Sequence, residues 1–217
     1  MNEAGRENII SVLRVSEEIP AHDFFHAGWE RARGVSLTRY WSGEAAPPGR
    51  HAEASLVWSS EALSVRFVCR QEEPLVISDA PQTAEKTQGL WERDVCEIFV
   101  APDRDEPMHY FEFEAAPTGE WIDLEIRYRG AERETDWHYR SGMTAAASVE
   151  EGRVLIAMRL PWEAFARKPQ AGEIWLTNLF RCVGSGEDRG YLTWRPTRTA
   201  RPNFHVPRAF GLLRFEE

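Results

Sequence analysis

Residues 90–100, LWERDVCEIFV, place the indole of Trp91 just ahead of the carboxylate of Glu97 on a short strand entry. An indole face packs on the axial C–H groups of a sugar ring, and a carboxylate accepts hydrogen bonds from its hydroxyls. Within the run Cys96, Ile98 and Val100 alternate with Val95, Glu97 and Phe99, so one face is apolar and the other carries the charge. Taken singly, each residue has a plainer reading: Trp91 as a cap over the core and Glu97 as a solvated acid.

Other residue types suggest rival chemistries. Glu97, Glu112, Glu114, Asp123 and Glu125 supply carboxylate pairs of the kind glycosidases use. No nucleophile elbow, Walker loop or HExxH accompanies them, and the expectation is a protein that is not an enzyme. Met108, His109 and His138 are available to a haem or metal. His22 and His26 are spaced to share a helix face if that stretch is helical, but no third ligand is anchored by spacing. Cys69, Cys96 and Cys182 lie in apolar runs without CxxC spacing and read as small, reduced, buried hydrophobes.

The composition narrows the partners. With 35 Asp+Glu against 26 Lys+Arg the net charge is −9, which repels phosphate backbones and anionic lipid surfaces. Neither nucleic acid nor membrane is expected as a partner, whereas neutral polyols, metals and cationic ligands stay open. The 42% apolar content supports a substantial core, and nine Trp residues invite a use beyond packing. Residues 1–18 carry charges throughout, unlike a secretory signal, so the default expectation is cytoplasmic. The oligomeric state is left open.

These residues need a sheet to position them. Residues 1–49 are loosely patterned and close on Ala45-Ala46-Pro47-Pro48-Gly49, which predicts an irregular N-terminal arm packed on a domain spanning 50–217. Alternation predicts strands at 52–58, 63–70, 94–100, 109–115, 121–128, 138–149, 153–160, 174–183, 191–194 and 210–215. The one credible helical piece after the first third is a short turn at 161–165, opened by Pro161. Without a βαβ rhythm, the fold class is all-β, an antiparallel β-sandwich of jelly-roll type. The polar alternates Arg66, Arg70, Glu97, Glu112, Glu114, Asp123 and Glu125 are expected on outward faces, forming a stripe of mixed charge if their strands are neighbours.

The succession of motifs resembles the family-9 carbohydrate-binding module superfamily. The similarity runs from the Trp91, Asp94 and Glu97 strand through YFEFEAAPTGEWID (110–123), AMRLPW (157–162), WLTNLFR (175–181) and YLTWRPT (191–197) to FHVPRAFGLLRF (204–215). The resemblance implies non-catalytic carbohydrate binding, with a sugar clamped between Trp91 and Trp194 and a carboxylate, Glu97, at its hydroxyls. It also implies a contact from the Asn-bearing strand. Asn178 and Arg181 lie on opposite faces of that strand by alternation; Arg181 is carried as the contact and Asn178 as its alternative. Where sugar-binding members place an Arg beside the carboxylate, this chain has Glu112, an acceptor in place of a donor. No cofactor is expected. Some members bind structural calcium, and Asp103, Asp105 and Glu106 are the acids that would serve, without an EF-hand spacing. A module that has lost its sugar site and only packs or docks is the main rival to binding.

Overall fold

Alternating runs pair as antiparallel strands wherever a short turn joins them, and the computed structural model, which describes residues 8–217, shows this along most of the chain. Three strands precede the first hairpin: β1 (Ile9–Arg14), β2 (Val35–Leu37) and β3 (Arg39–Tyr40). The hairpin of β4 (Ala52–Trp58) and β5 (Ala62–Arg70) turns on Ser59, whose Oγ accepts the backbone N–H groups of Glu61 and Ala62. A meander follows: β6 (Val95–Ala101), β7 (His109–Ala115), β8 (Trp121–Arg129) and β9 (Glu132–Asp136). A second hairpin, β10 (Thr144–Glu150) and β11 (Arg153–Pro161), leads through a single 3-10 turn at Trp162–Phe165. Then come β12 (Ile174–Val183), β13 (Gly190–Thr193) and β14 (Gly211–Glu216).

The strands form one hydrogen-bonded path, β10-β11-β5-β4-β1-β14-β12-β6-β7-β8-β9, with β13 on β12 and β2 on β4. It differs from a purely antiparallel sandwich at one strand. β1 runs parallel to both β4 and β14 and joins the two halves of the sheet. The first 49 residues are irregular over most of their described length, but they also contribute three short strands, and β1 is integral to the sheet. IISVLR alternates, and its Ile10 and Val12 are buried to the sheet's core. Residues 1–7 of the expected arm lie outside the described residues. The strand expected at 138–149 begins only at Thr144, because Gly142 turns the chain at φ +71°. The meander's last strand, ERETD, is polar and largely exposed, so no apolar alternation announced it.

The two halves bury one face each against the other. Cys96, Ile98 and Val100 of β6, Phe111 and Phe113 of β7 and Leu179 of β12 meet Leu56, Val65, Phe67, Ile156 and Met158 from the opposite half. Each such fully buried side chain contributes about 1.5–3 kcal/mol. Trp162 stands edge-on to Trp58, Trp175 and Phe215, closing one end of this core with indoles whose N–H groups donate to the Ser59 and Glu216 carbonyls and the Glu173 carboxylate.

The other face of β6, β7, β8 and β12 is also largely buried. Phe99, Tyr110, Leu124, Ile126 and Phe180 form a second apolar cluster, roofed by Phe204 and Phe210 from the long connection between β13 and β14. Phe204 stacks on Phe180 at 4.1 Å and 13°. Cross-strand register decides which acids share this outer face. Glu97 lies opposite Glu114 and Phe99 opposite Glu112, while Glu112 and Glu114 lie opposite Leu124 and Ile122. Asp123 and Glu125 pair instead with Phe113 and Phe111 and face the other way, so the expected common stripe of charge divides between two faces. Asp123 is buried against the Lys86 ammonium at 2.5 Å and accepts the Ser141 N–H at 2.6 Å.

Candidate functional site

A cavity of about 620 Å³ opens on that outer face, where the sheet meets three connections: the turn at Leu90–Glu92, the segment after β9, and the stretch 202–205. Its floor is acidic and its rim aromatic. Glu97, Glu112 and Glu114 rise from adjacent positions of β6 and β7, and one oxygen of each lies within 4.8 Å of the others. All three are buried.

Trp91 and Trp137 stand at the mouth, 37% and 40% exposed among side chains that are otherwise mostly covered. Trp91 is set by a turn that starts at Gly89, where φ is +76° and a side chain would be strained. Arg189 fixes the far side of that turn by donating to the carbonyls of Trp91 (2.7 Å), Arg93 (2.6 Å) and Gly184 (2.7 Å). Trp137 follows β9 directly, where the Asp136 carboxylate accepts the His138 N–H at 2.8 Å and curls the chain. The two indole centroids are 6.1 Å apart at 47°. Sandwiching a pyranose requires two van der Waals gaps, roughly 7–8 Å between rings. These rings touch each other and form one continuous wall.

Burial dominates the electrostatics. It pushes the Glu97 carboxyl well above the usual carboxylate range, and the charge of Glu112 adds to the effect; the Cys182 thiol, 3.5 Å away, and Arg189 oppose it. Glu114 is raised well above by burial and then by the charges of Glu97 and Glu112. Glu112 is raised by burial, with Glu114 and Arg133 working against the rise. Burial and mutual repulsion thus oppose the simultaneous ionisation of all three carboxyls. His205 also lines the wall, and burial holds its ring down to about 3, assisted by Arg133. At neutral pH it is uncharged, so its 3.9 Å approach to Glu112 is not an ion pair. Its ring meets the Tyr110 hydroxyl at 2.8 Å and its carbonyl accepts from Tyr128, which pins the roof to the sheet.

The structure brings together three of the six residues expected at the site: Trp91, Glu97 and Glu112. Trp194 is elsewhere. Its indole covers Gly211 so closely that a Cβ there would come within 2.4 Å of the ring, and it packs on the main core. Asn178 does face outward, opposite Phe99, but it is fully buried. Its amide donates to the Arg195 carbonyl, and its Oδ1 accepts the Leu179 and Arg195 N–H groups. Arg181 points to the inner face, where its guanidinium donates to the carbonyls of Arg50, His51 and Arg70 and to the Gln71 side chain. Both are consumed in tying strands and loops together, and neither lines the cavity. Glu114, Trp137, Tyr191, Phe204, Arg133 and Arg189 line it without having been expected there. Glu114 was recoverable from its shared parity with Glu112.

The rival ligand sets do not assemble. His22 and His26 are not on a helix; the His26 Nδ1 caps a turn by accepting the Gly28 N–H. His109 is held by Glu125 at 2.7 Å. Asp103, Asp105 and Glu106 are exposed, with Asp103 accepting the Asp105 N–H. The three cysteines are buried and unbonded; the Sγ atoms of Cys69 and Cys96 lie 3.4 Å apart.

Comparison with known proteins places this geometry in a family. The chain matches the carbohydrate family 9 binding domain-like model over residues 24–217. A Bacteroides uniformis protein assigned to carbohydrate binding superposes with a TM-score of 0.76 at 17% identity, over 96% of this chain and 99% of that one. A family 9 carbohydrate-binding module from Caldicellulosiruptor kristjanssonii, solved with glucose, superposes with a TM-score of 0.68 at 15% identity, over 96% and 95% of the two chains. The same module solved with cellotriose gives 0.68 at 15%, over 96% and 93%. No curated protein matches. With the family model spanning the whole sandwich beyond β1, the chain belongs to the carbohydrate family 9 binding domain-like family.

Proposed function

We propose that this chain binds carbohydrate, without turning it over, in the cavity between the Trp91–Trp137 wall and the carboxylates of β6 and β7. The observation that carries this reading is the pair of exposed, touching indoles directly beside buried hydrogen-bonding acids. Two neighbouring indoles left open side by side at the mouth of a concavity are what a ligand site presents. A sugar ring laid on that wall places hydroxyls over Glu97, and the cavity volume suits one to a few residues of a saccharide. Family membership, and neighbours solved with glucose and cellotriose, support the same class of ligand.

Glycoside hydrolysis is the reading to test against it, because buried acids with raised pKa values are what a general acid needs. A retaining pair stands about 5–5.5 Å apart with the scissile bond between its members. Here the three carboxyls project side by side from one face of two adjacent strands and converge on a common point, whereas a catalytic pair flanks the bond it breaks. Incubation of the protein with oligosaccharides that it binds, followed by product analysis, tests this directly. Intact saccharide is expected, and cleavage abolished in Glu97→Gln with binding retained would make the acids catalytic.

A further inference from the structure

We propose that the saccharide this cavity accepts carries a protonated amine, with the ammonium seated among Glu97, Glu112 and Glu114 and the sugar ring lying on Trp91 and Trp137. The proposal rests on the carbohydrate reading and names the ligand's chemical class. Its starting point is an imbalance at the floor. Both Glu114 oxygens and Oε2 of Glu112 are buried with no donor from outside the acid cluster among the described residues, and buried polar atoms left so call for a partner. A neutral hydroxyl supplies one proton and no charge. An ammonium supplies three N–H donors and a positive charge in a volume that three converging carboxylates can enclose.

The surroundings point the same way. No Lys or Arg ion-pairs with the three acids among the described residues; Arg133 and Arg189 act on them only at longer range, and Arg189 already donates to three carbonyls. The compensating cation is therefore missing from the protein side. Above the acids the Trp91 and Trp137 faces attract cations as well as sugar C–H groups. A bare divalent ion is a poorer match: calcium takes six to eight oxygens, and magnesium demands an octahedral shell. Beyond the three floor carboxylates and Glu92, this cavity offers rings, a thiol, two guanidinium groups and only the neutral oxygens of Thr135, Asn203 and Tyr191.

The test is calorimetric titration of the full chain, freed of metal with a chelator, at about pH 6.5, where a sugar amine is largely protonated. The probes are the β-1,4-linked disaccharide of glucosamine, its N-acetylated counterpart and cellobiose. The amine is expected to bind about ten- to a hundredfold tighter than cellobiose, the range of one charge-assisted hydrogen bond. N-acetylation, which removes the charge, should abolish the preference. Glu114→Gln and Glu112→Gln keep side-chain shape and should each lose most of the preference for the amine over cellobiose; melting curves confirm that each is folded. Cellobiose binding as tight as that of the amine overturns this proposal and leaves carbohydrate binding standing. Failure of every saccharide overturns both. Calcium chloride titrated alone, binding in the wild type but not in Glu114→Gln and uncontested by the amine, would make the acids a metal site and also overturn the proposal.

Discussion

Replacing Glu114 by Gln should stabilise the protein at alkaline pH. Glu114 is fully buried, neither of its oxygens has a donor, and Glu97 and Glu112 crowd it with like charge. Its folded pKa is raised above the unfolded value, so the folded state binds more protons than the unfolded state between the two values. Stability is then greatest below about pH 4.3, the ordinary Glu value, and falls as pH rises toward the folded pKa. Glu97 and Glu112 shift the same way and add to the slope. Gln has the shape of the protonated acid, cannot ionise, and offers amide N–H groups to the two remaining carboxylates. Removing one uncompensated buried acid should gain about 1–3 kcal/mol at about pH 8, which for a chain this long shifts the melting midpoint by about 2–4 °C per kcal/mol. Near pH 5 the gain should shrink, because the wild-type acid is then protonated too. The assay is urea unfolding of both proteins across this range, followed by tryptophan emission. Glu114→Gln less stable than wild type at alkaline pH, or a wild type whose stability does not decline with pH, would refute the reasoning and show that the acids hold a compensating cation in the free protein.

Four further outcomes are expected. Trp137→Ala or Trp91→Ala should each weaken saccharide binding by more than about 1 kcal/mol in calorimetry, as truncated aromatic anchors do, with less loss of melting temperature than truncation of a core indole such as Trp175, because each is more than a third exposed. Trp194→Ala should lower the melting temperature, since its ring covers Gly211 and packs on the core, yet leave the dissociation constant unchanged in whatever fraction is folded. Arg181→Leu should destabilise by at least about 1–3 kcal/mol in urea unfolding, because the Arg50 and Arg70 carbonyls and the Gln71 side chain lose a donor inside the fold. Thiol labelling of Cys69, Cys96 and Cys182 should be slow in the native protein and quicken on unfolding; rapid native labelling would contradict their burial.

Strands whose two faces differ in character were legible residue by residue. HYFEFEA and IWLTNLFRCV were bounded as they are found, because their alternation is unbroken and turn residues flank them. ERETD was not, since a strand exposed on both faces has no apolar period to read. Periodicity also gives parity within a strand but not the register between strands. It correctly separated Asn178 from Arg181, and it could not tell that Asp123 pairs with Phe113 and so turns away from Glu112. The half of the candidate site on strands, Glu97 with Glu112, was legible for that reason. The half on connections was not: Trp137 reaches Trp91 only through the curl at Asp136, and nothing in its neighbours distinguishes it from the seven other tryptophans. Trp194 was misplaced because a motif locates a residue along the chain, whereas the small Gly211 opposite it decides which way the indole falls.

The most direct test of carbohydrate binding in this cavity is an indole N–H correlation spectrum of the nitrogen-15-labelled protein, recorded while saccharide is added. Nine tryptophans give nine reporters spread through the fold, and single Trp→Phe substitutions assign them. The Trp91 and Trp137 resonances should move together and saturate with one dissociation constant, while those of Trp58, Trp162 and Trp175, sealed in the main core, stay in place. Shifts centred on Trp194 with Trp91 and Trp137 unmoved would relocate the site, and no shift with any neutral or amine-bearing saccharide would contradict carbohydrate binding here.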